Sequence, residues 1–164
     1  MNNIIIADYD PAWPRTFASL RDRAWPLVAP FALSIEHVGS TSVPGLAAKP
    51  IIDMDIVARS PGAVLSAIRA LETLGYRHEG DKGIPGREVM RSLPNDPQHH
   101  LYVCSREAEP LIEHLRFRDY LRSHPSAVAE YSALKKRLAA QFDDVKDYMP
   151  AKTEFVRACL AAAK

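Results

Sequence analysis

The chain has 164 residues, 47% of them hydrophobic and 25% charged, an ordinary balance for a soluble globular protein with a substantial core. Its formal net charge of +1 argues against a protein that coats nucleic acid through bulk electrostatics, so no bulk nucleic-acid binding is expected. No apolar run is long enough to span a bilayer, and Ile4-Ile5-Ile6 meets Asp8 and Asp10 at once without a basic start, so neither a membrane anchor nor a secretion signal is expected. Cys104 and Cys159 have no ligand-like spacing and read as buried thiols of a cytoplasmic protein. Residues 1–164 read as a single domain, with a catalytic sheet over about 33–105 and C-terminal helices over about 107–163.

In chain order, residues 4–7 form a short strand or a docked arm. Asp10-Pro11 starts a helix that places Trp13, Phe17, Leu20 and Ala24 on one face, with Trp13 and Tyr9 expected in the core rather than against a nucleobase. Residues 33–38 form a strand that delivers the turn Gly39-Ser40-Thr41-Ser42, and residues 43–48 are expected to open a short helix. Gly39 permits a close approach that a side chain would block, and backbone N–H groups at a turn-to-helix junction suit an anion. His37, at the end of this strand, is expected to position neighbours rather than carry protons.

The next strand is acidic: Ile51-Ile52-Asp53-Met54-Asp55-Ile56-Val57. Strand side chains alternate, so Asp53 and Asp55 emerge on one face while Ile52, Met54 and Ile56 enter the core. Lys49 shares the parity of the acids. Two carboxylates in so apolar a run are costly without a compensating cation. A divalent metal, Mg²⁺ or Mn²⁺, provides one, completed by substrate phosphates and water. The competing reading pairs the acids with arginines at a strand edge.

Ser60-Pro61 caps a helix with Val64, Ile68 and Leu71 inside, ended by Gly75. Residues 76–79 form a further strand, residues 80–86 a glycine-rich loop, and residues 87–93 and 98–105 an antiparallel hairpin. His100 and Tyr102 share a face of its second strand, which carries no acid. Helices then follow: one to Ser123, a second with Val128, Tyr131, Leu134, Leu138 and Phe142 as core, and a third started by Pro150 with Lys152 in its first turn. Arg118, Arg122, Lys135 and Lys152 are candidates for phosphate or acidic-acceptor contacts, against the alternative of a solvated face.

Gly-Ser followed about a dozen residues later by Asp-x-Asp is similar to the nucleotidyltransferase pattern. The wording HVGSTSVPGLAAKPIIDMDI resembles the core motif of the GrpB family, small bacterial proteins with a nucleotidyltransferase-like fold. The likeness extends upstream to Tyr9-Asp10-Pro11-Ala12-Trp13-Pro14 and downstream to Phe117–Arg122, Tyr131 with Lys135, and Tyr148 with Lys152. It implies an α/β fold with a mixed sheet flanked by helices. Asp53 and Asp55 would be metal-binding and catalytic, with Gly39, Ser40, Ser42, Lys49, Arg118 and Lys152 around the phosphates of a nucleoside triphosphate. Nucleotidyltransferases commonly add a third acid on the neighbouring strand, where this chain has His100, a candidate metal ligand or acid/base in its place. The expected activity is transfer of a nucleotidyl group to a small-molecule or macromolecular acceptor. The alternative is a non-catalytic nucleotide- or metabolite-binding module on the same fold.

Overall fold

A computed structural model of the chain describes residues 4–163. Its first helix, α1 (Trp13–Val28), begins where the Asp10 carboxylate accepts the Ala12 N–H at 2.8 Å and the Asp10 carbonyl accepts the Trp13 N–H. Trp13, Leu20, Ala24 and Val28 form its buried stripe, and Tyr9 meets Trp13 edge to face within the same core. The preceding arm is docked by a bridge between Ala7 and Ala48 and by an ion pair from Asp8 to Lys136.

Five strands build one mixed sheet: β1 (Ala32–Val38), β2 (Ile52–Ala58), β3 (Arg77–His78), β4 (Glu88–Arg91) and β5 (His99–Ser105), in the order β1-β2-β5-β4-β3. β2 runs antiparallel to β1 and parallel to β5, so Asp53 stands opposite His100 and Asp55 opposite Tyr102. One face, with Ile52, Met54, Ile56, Met90, Leu101 and Val103, is covered by α1 and by α2 (Pro61–Glu72). Ser60 caps α2 by accepting the Ala63 N–H, and Ala67, Ile68 and Leu71 are its buried stripe. On the other face, Val57 and Cys104 are closed over by Leu111 of α3 (Glu109–Ser123). The Asp53–His100 end of that face is left open, and that opening positions the site.

Beyond α3 lie α4 (Pro125–Gln141), α5 (Val145–Ala151) and α6 (Thr153–Ala162). Residues 43–48 do not form the expected helix. A single 3-10 turn covers Ser40–Ser42 and stops at Val43, whose backbone is extended, as favoured for a residue before proline. Val43 and Leu46 instead plug a second core with Leu121, Ala127, Val128 and Tyr131. Pro150 does not start the last helix either. The Asp144 side chain accepts the Lys146 N–H at 2.9 Å and starts α5 earlier, which leaves Lys152 at the α5–α6 junction.

Candidate functional site

β1 delivers Gly39 with φ 70° and ψ −175°, a conformation open essentially to glycine alone. A Cβ there would lie 2.2 Å from Asp53 Oδ2, so the absence of a side chain lets the turn pack on the first acid. Ser42 locks the turn from beneath: its hydroxyl donates to the Gly39 carbonyl at 2.6 Å, and its own carbonyl accepts two bonds from the Arg122 guanidinium. His37 stacks on Phe17 and lies 2.9 Å from Thr41 Oγ1. Burial, with Arg122 nearby, pushes its pKa down to about 4, so it is a neutral spacer that carries no proton at pH 7.

The open end of the sheet forms a cavity of about 430 Å³ whose floor includes Gly39, Ser40, Asp53 and His100. Three lysines enter it from other elements. Lys135, on the buried stripe of α4 with Tyr131 and Leu138, is 1% exposed and donates to Ser40 Oγ at 2.8 Å. Burial, then repulsion from Lys152, brings its pKa from the ordinary 10.5 down to about 7, although Asp53 acts the other way. Lys152 is brought to about 8 by burial and by the Lys49 charge, while burial also lowers Lys49. The Tyr148 ring lies between these two, 4.9 Å from Lys49 Nζ and 4.6 Å from Lys152 Nζ, and the Tyr131 ring is 4.5 Å from Lys135 Nζ. The rings offset part of the desolvation of the ammonium groups.

Each acid is bound by a histidine. His100 Nδ1 donates to Asp53 Oδ1 at 2.8 Å and His114 Nδ1 donates to Asp55 Oδ2 at 2.7 Å, because a carboxylate only accepts. Asp53 borders the cavity, whereas Asp55 is 0% exposed and sits behind His114, which does reach the cavity. Burial raises the pKa of Asp55 against the pull of His114; for His114, burial is the largest influence and acts downward, but the bond to Asp55 together with the charges of Asp55 and Asp53 makes the net shift upward. Asp55 Oδ1 is buried with no hydrogen-bond partner, which leaves an oxygen available to a cation. Among the described residues no three acidic, histidine or cysteine side chains converge as a metal cage.

Gly39, Ser40, Lys49, Asp53, His100 and Lys152, all legible in the sequence, therefore meet at one cavity. Four other candidates, Asp55, Ser42, Arg118 and Arg122, do not line it. Ser42 faces back into its own turn. Arg118 donates to Glu36 at 2.8 Å, to the His37 carbonyl and to Asp119, which ties α3 to β1. Asp55 shares the face of Asp53 as its parity requires, but lies deeper than expected. The pattern reading missed His114, which is 59 positions from its partner and carries no local signal, and treated Lys135 as a helix-surface residue by preference although it is buried.

Comparison with known proteins identifies the family and the fold. The chain is 38% identical over 157 residues to the UPF0157 protein YqkA of Bacillus subtilis strain 168, covering 95% of this chain and 46% of that protein, so it spans about half the length of this relative. The crystal structure of the conserved protein GrpB from Enterococcus faecalis matches with a TM-score of 0.85 at 35% identity, over 97% of this chain and 96% of that one. Cid1 in complex with the UTP analogue UMPNPP matches with a TM-score of 0.57 at 12% identity, over 89% of this chain and 48% of Cid1, which shows that the fold is of the nucleotidyltransferase type. The family model described as GrpB protein spans residues 3–162, and the chain belongs to the GrpB family.

Proposed function

We propose that the cavity binds a nucleoside triphosphate together with a divalent cation and transfers its nucleotidyl group to an acceptor hydroxyl. The observation that carries this reading is Lys135: a buried ammonium, without a carboxylate in ion-pair distance among the described residues, aimed at Ser40 in the turn that glycine presses onto Asp53. An amine desolvated to that degree keeps its charge above neutral pH only beside an anion. Ser40, Lys49, Lys135 and Lys152 would hold the phosphates; Cid1, which shares the fold, has been solved with UMPNPP and with MgATP.

Asp53 and Asp55 would hold Mg²⁺ or Mn²⁺ through their remaining oxygens, and such an ion, when bound, neutralises phosphate charge and favours in-line displacement. The residues themselves orient and exclude water. In the transfer the acceptor oxygen bonds to the α-phosphorus, the bond from that phosphorus to the bridging oxygen breaks, and pyrophosphate leaves. The hydroxyl proton passes to His100 Nε2, the ring nitrogen left as acceptor when Nδ1–H is engaged by Asp53.

Thermal stability of the protein with each triphosphate, with and without Mg²⁺, tests the site, since ligands of the native state raise its melting temperature. The expected result is Mg-dependent stabilisation that D53A abolishes; an unchanged response in D53A overturns the assignment. One observation favours the non-catalytic module as a second reading: His100 stands on β5 where a third acid is common. Pyrophosphate release separates the two, because a module binds the nucleotide intact.

A further inference from the structure

The cavity holds a fourth cation that the triphosphate reading leaves unused. Arg87 lies just before β4, half-buried, with its guanidinium 4.5 Å from the Tyr102 ring centroid. Its Nε is buried without a hydrogen-bond partner, and among the described residues no carboxylate lies within ion-pair distance of it. Stacking on a tyrosine face attracts the cation but pairs no N–H donor. The buried Nε–H is left with the cost of an unmade hydrogen bond, which an acceptor would remove. An unpaired guanidinium at the wall of a cavity, its Nε buried, matches a planar or tetrahedral oxyanion.

Its place relative to the lysines gives the subsite its meaning. Lys135 bonds Ser40 in the turn after β1, and Lys49 and Lys152 share the Tyr148 ring. Arg87 lies instead on Tyr102 of β5, just before β4. In the sheet order β1-β2-β5-β4 the two cationic sets thus flank the acidic strand, Lys135 at the Gly39 turn and Arg87 beside β5.

We propose that Arg87 builds a second anion subsite in this cavity, which reads a carboxylate or phosphate group carried by the acceptor substrate. The acceptor of the proposed transfer is then an anionic alcohol, so this inference rests on that reading for the acceptor's role, while the anion site itself does not. Substrate discrimination follows from the unpaired guanidinium: an acceptor lacking the anion leaves Arg87 without a partner.

The test follows the Arg87 Nε–H resonance in ¹⁵N-labelled protein, assigned by its loss in R87K, which keeps the charge and removes the fork. Inorganic phosphate and acetate are titrated into wild type, into wild type saturated with Mg²⁺ and a non-hydrolysable triphosphate, and into K135Q/K152Q. Expected is a saturable downfield shift in all three, with phosphate affinity of K135Q/K152Q, measured by dialysis, at least tenfold weaker once R87Q is added. A response to phosphate alone identifies a phosphorylated acceptor and a response to acetate alone a carboxylated one. No response to either overturns the subsite. So does a resonance that the triphosphate itself shifts and that then ignores phosphate, because Arg87 would belong to the donor site. If wild type binds no triphosphate but Arg87 still responds, the proposed function fails and the subsite stands.

Discussion

At the scale of single residues, the site depends on an atom that is missing. Gly39 combines a positive φ with contact against Asp53, so alanine there strains the backbone and collides with the carboxylate. Confinement to that glycine-only region costs about 1–3 kcal/mol. G39A is therefore expected to lower the urea midpoint by at least that equivalent and to lose nucleotide-dependent stabilisation, both read by equilibrium unfolding. Asp53 borders open space and Asp55 does not. D53A should thus retain the melting temperature of the unliganded protein to within surface-mutation effects while losing the response to Mg²⁺ and nucleotide. This contrast was half legible: strand alternation put both acids on one face, but the depth of each depended on α3 and on His114 closing over Asp55.

At the scale of elements, α5 and α3 do opposite work with similar-looking residues. α5 carries Tyr148, whose ring lies beside Lys49 and Lys152 and whose hydroxyl is buried without a partner. Y148F should therefore keep or slightly raise stability and leave phosphate binding intact. Y148A removes a fully buried ring, for which the expected loss is about 3–5 kcal/mol, and frees both lysines to splay. Thermal unfolding and phosphate dialysis on the two variants check this, and equal behaviour would remove the ring from the argument. On α3, Arg118 is held by Glu36, Asp119 and the His37 carbonyl. Charged hydrogen bonds of this kind contribute about 1.5–3 kcal/mol. R118Q is expected to lose stability of that order in denaturant unfolding without altering affinity at the lysine side of the cavity. In sequence Arg118 and Lys152 were equivalent candidates, each expected on a helix near aromatic residues.

At the scale of the whole molecule, the buried lysines couple stability and ligand binding to pH. In the folded state Lys135 titrates near 7 against 10.5 ordinarily, so between about 7 and 10.5 the unfolded chain holds a proton that the native one lacks. Stability from this group therefore rises with pH through that window and is lowest below about 7, where the charge stays buried. An anion reverses the preference and recharges the amine. Phosphate or nucleotide binding at pH 8 is thus expected to take up protons, seen as a binding enthalpy that depends on the buffer's ionisation enthalpy, and K135M should reduce the uptake and weaken binding while being at least as stable as wild type at pH 7. What the sequence determined by itself was local: the alternation that aligns Asp53 with Asp55, the Ser60 cap, the helical stripes and the glycine-serine turn, each set by residues a few positions apart. Tertiary structure alone decided which charges are desolvated and which are tethered, buried Lys135 and half-buried Lys152 against Arg118, and which histidine meets Asp55. The physical reason is that desolvation and ion pairing depend on what packs across the sheet, a non-local outcome of how the helices share their cores that no spacing along the chain encodes.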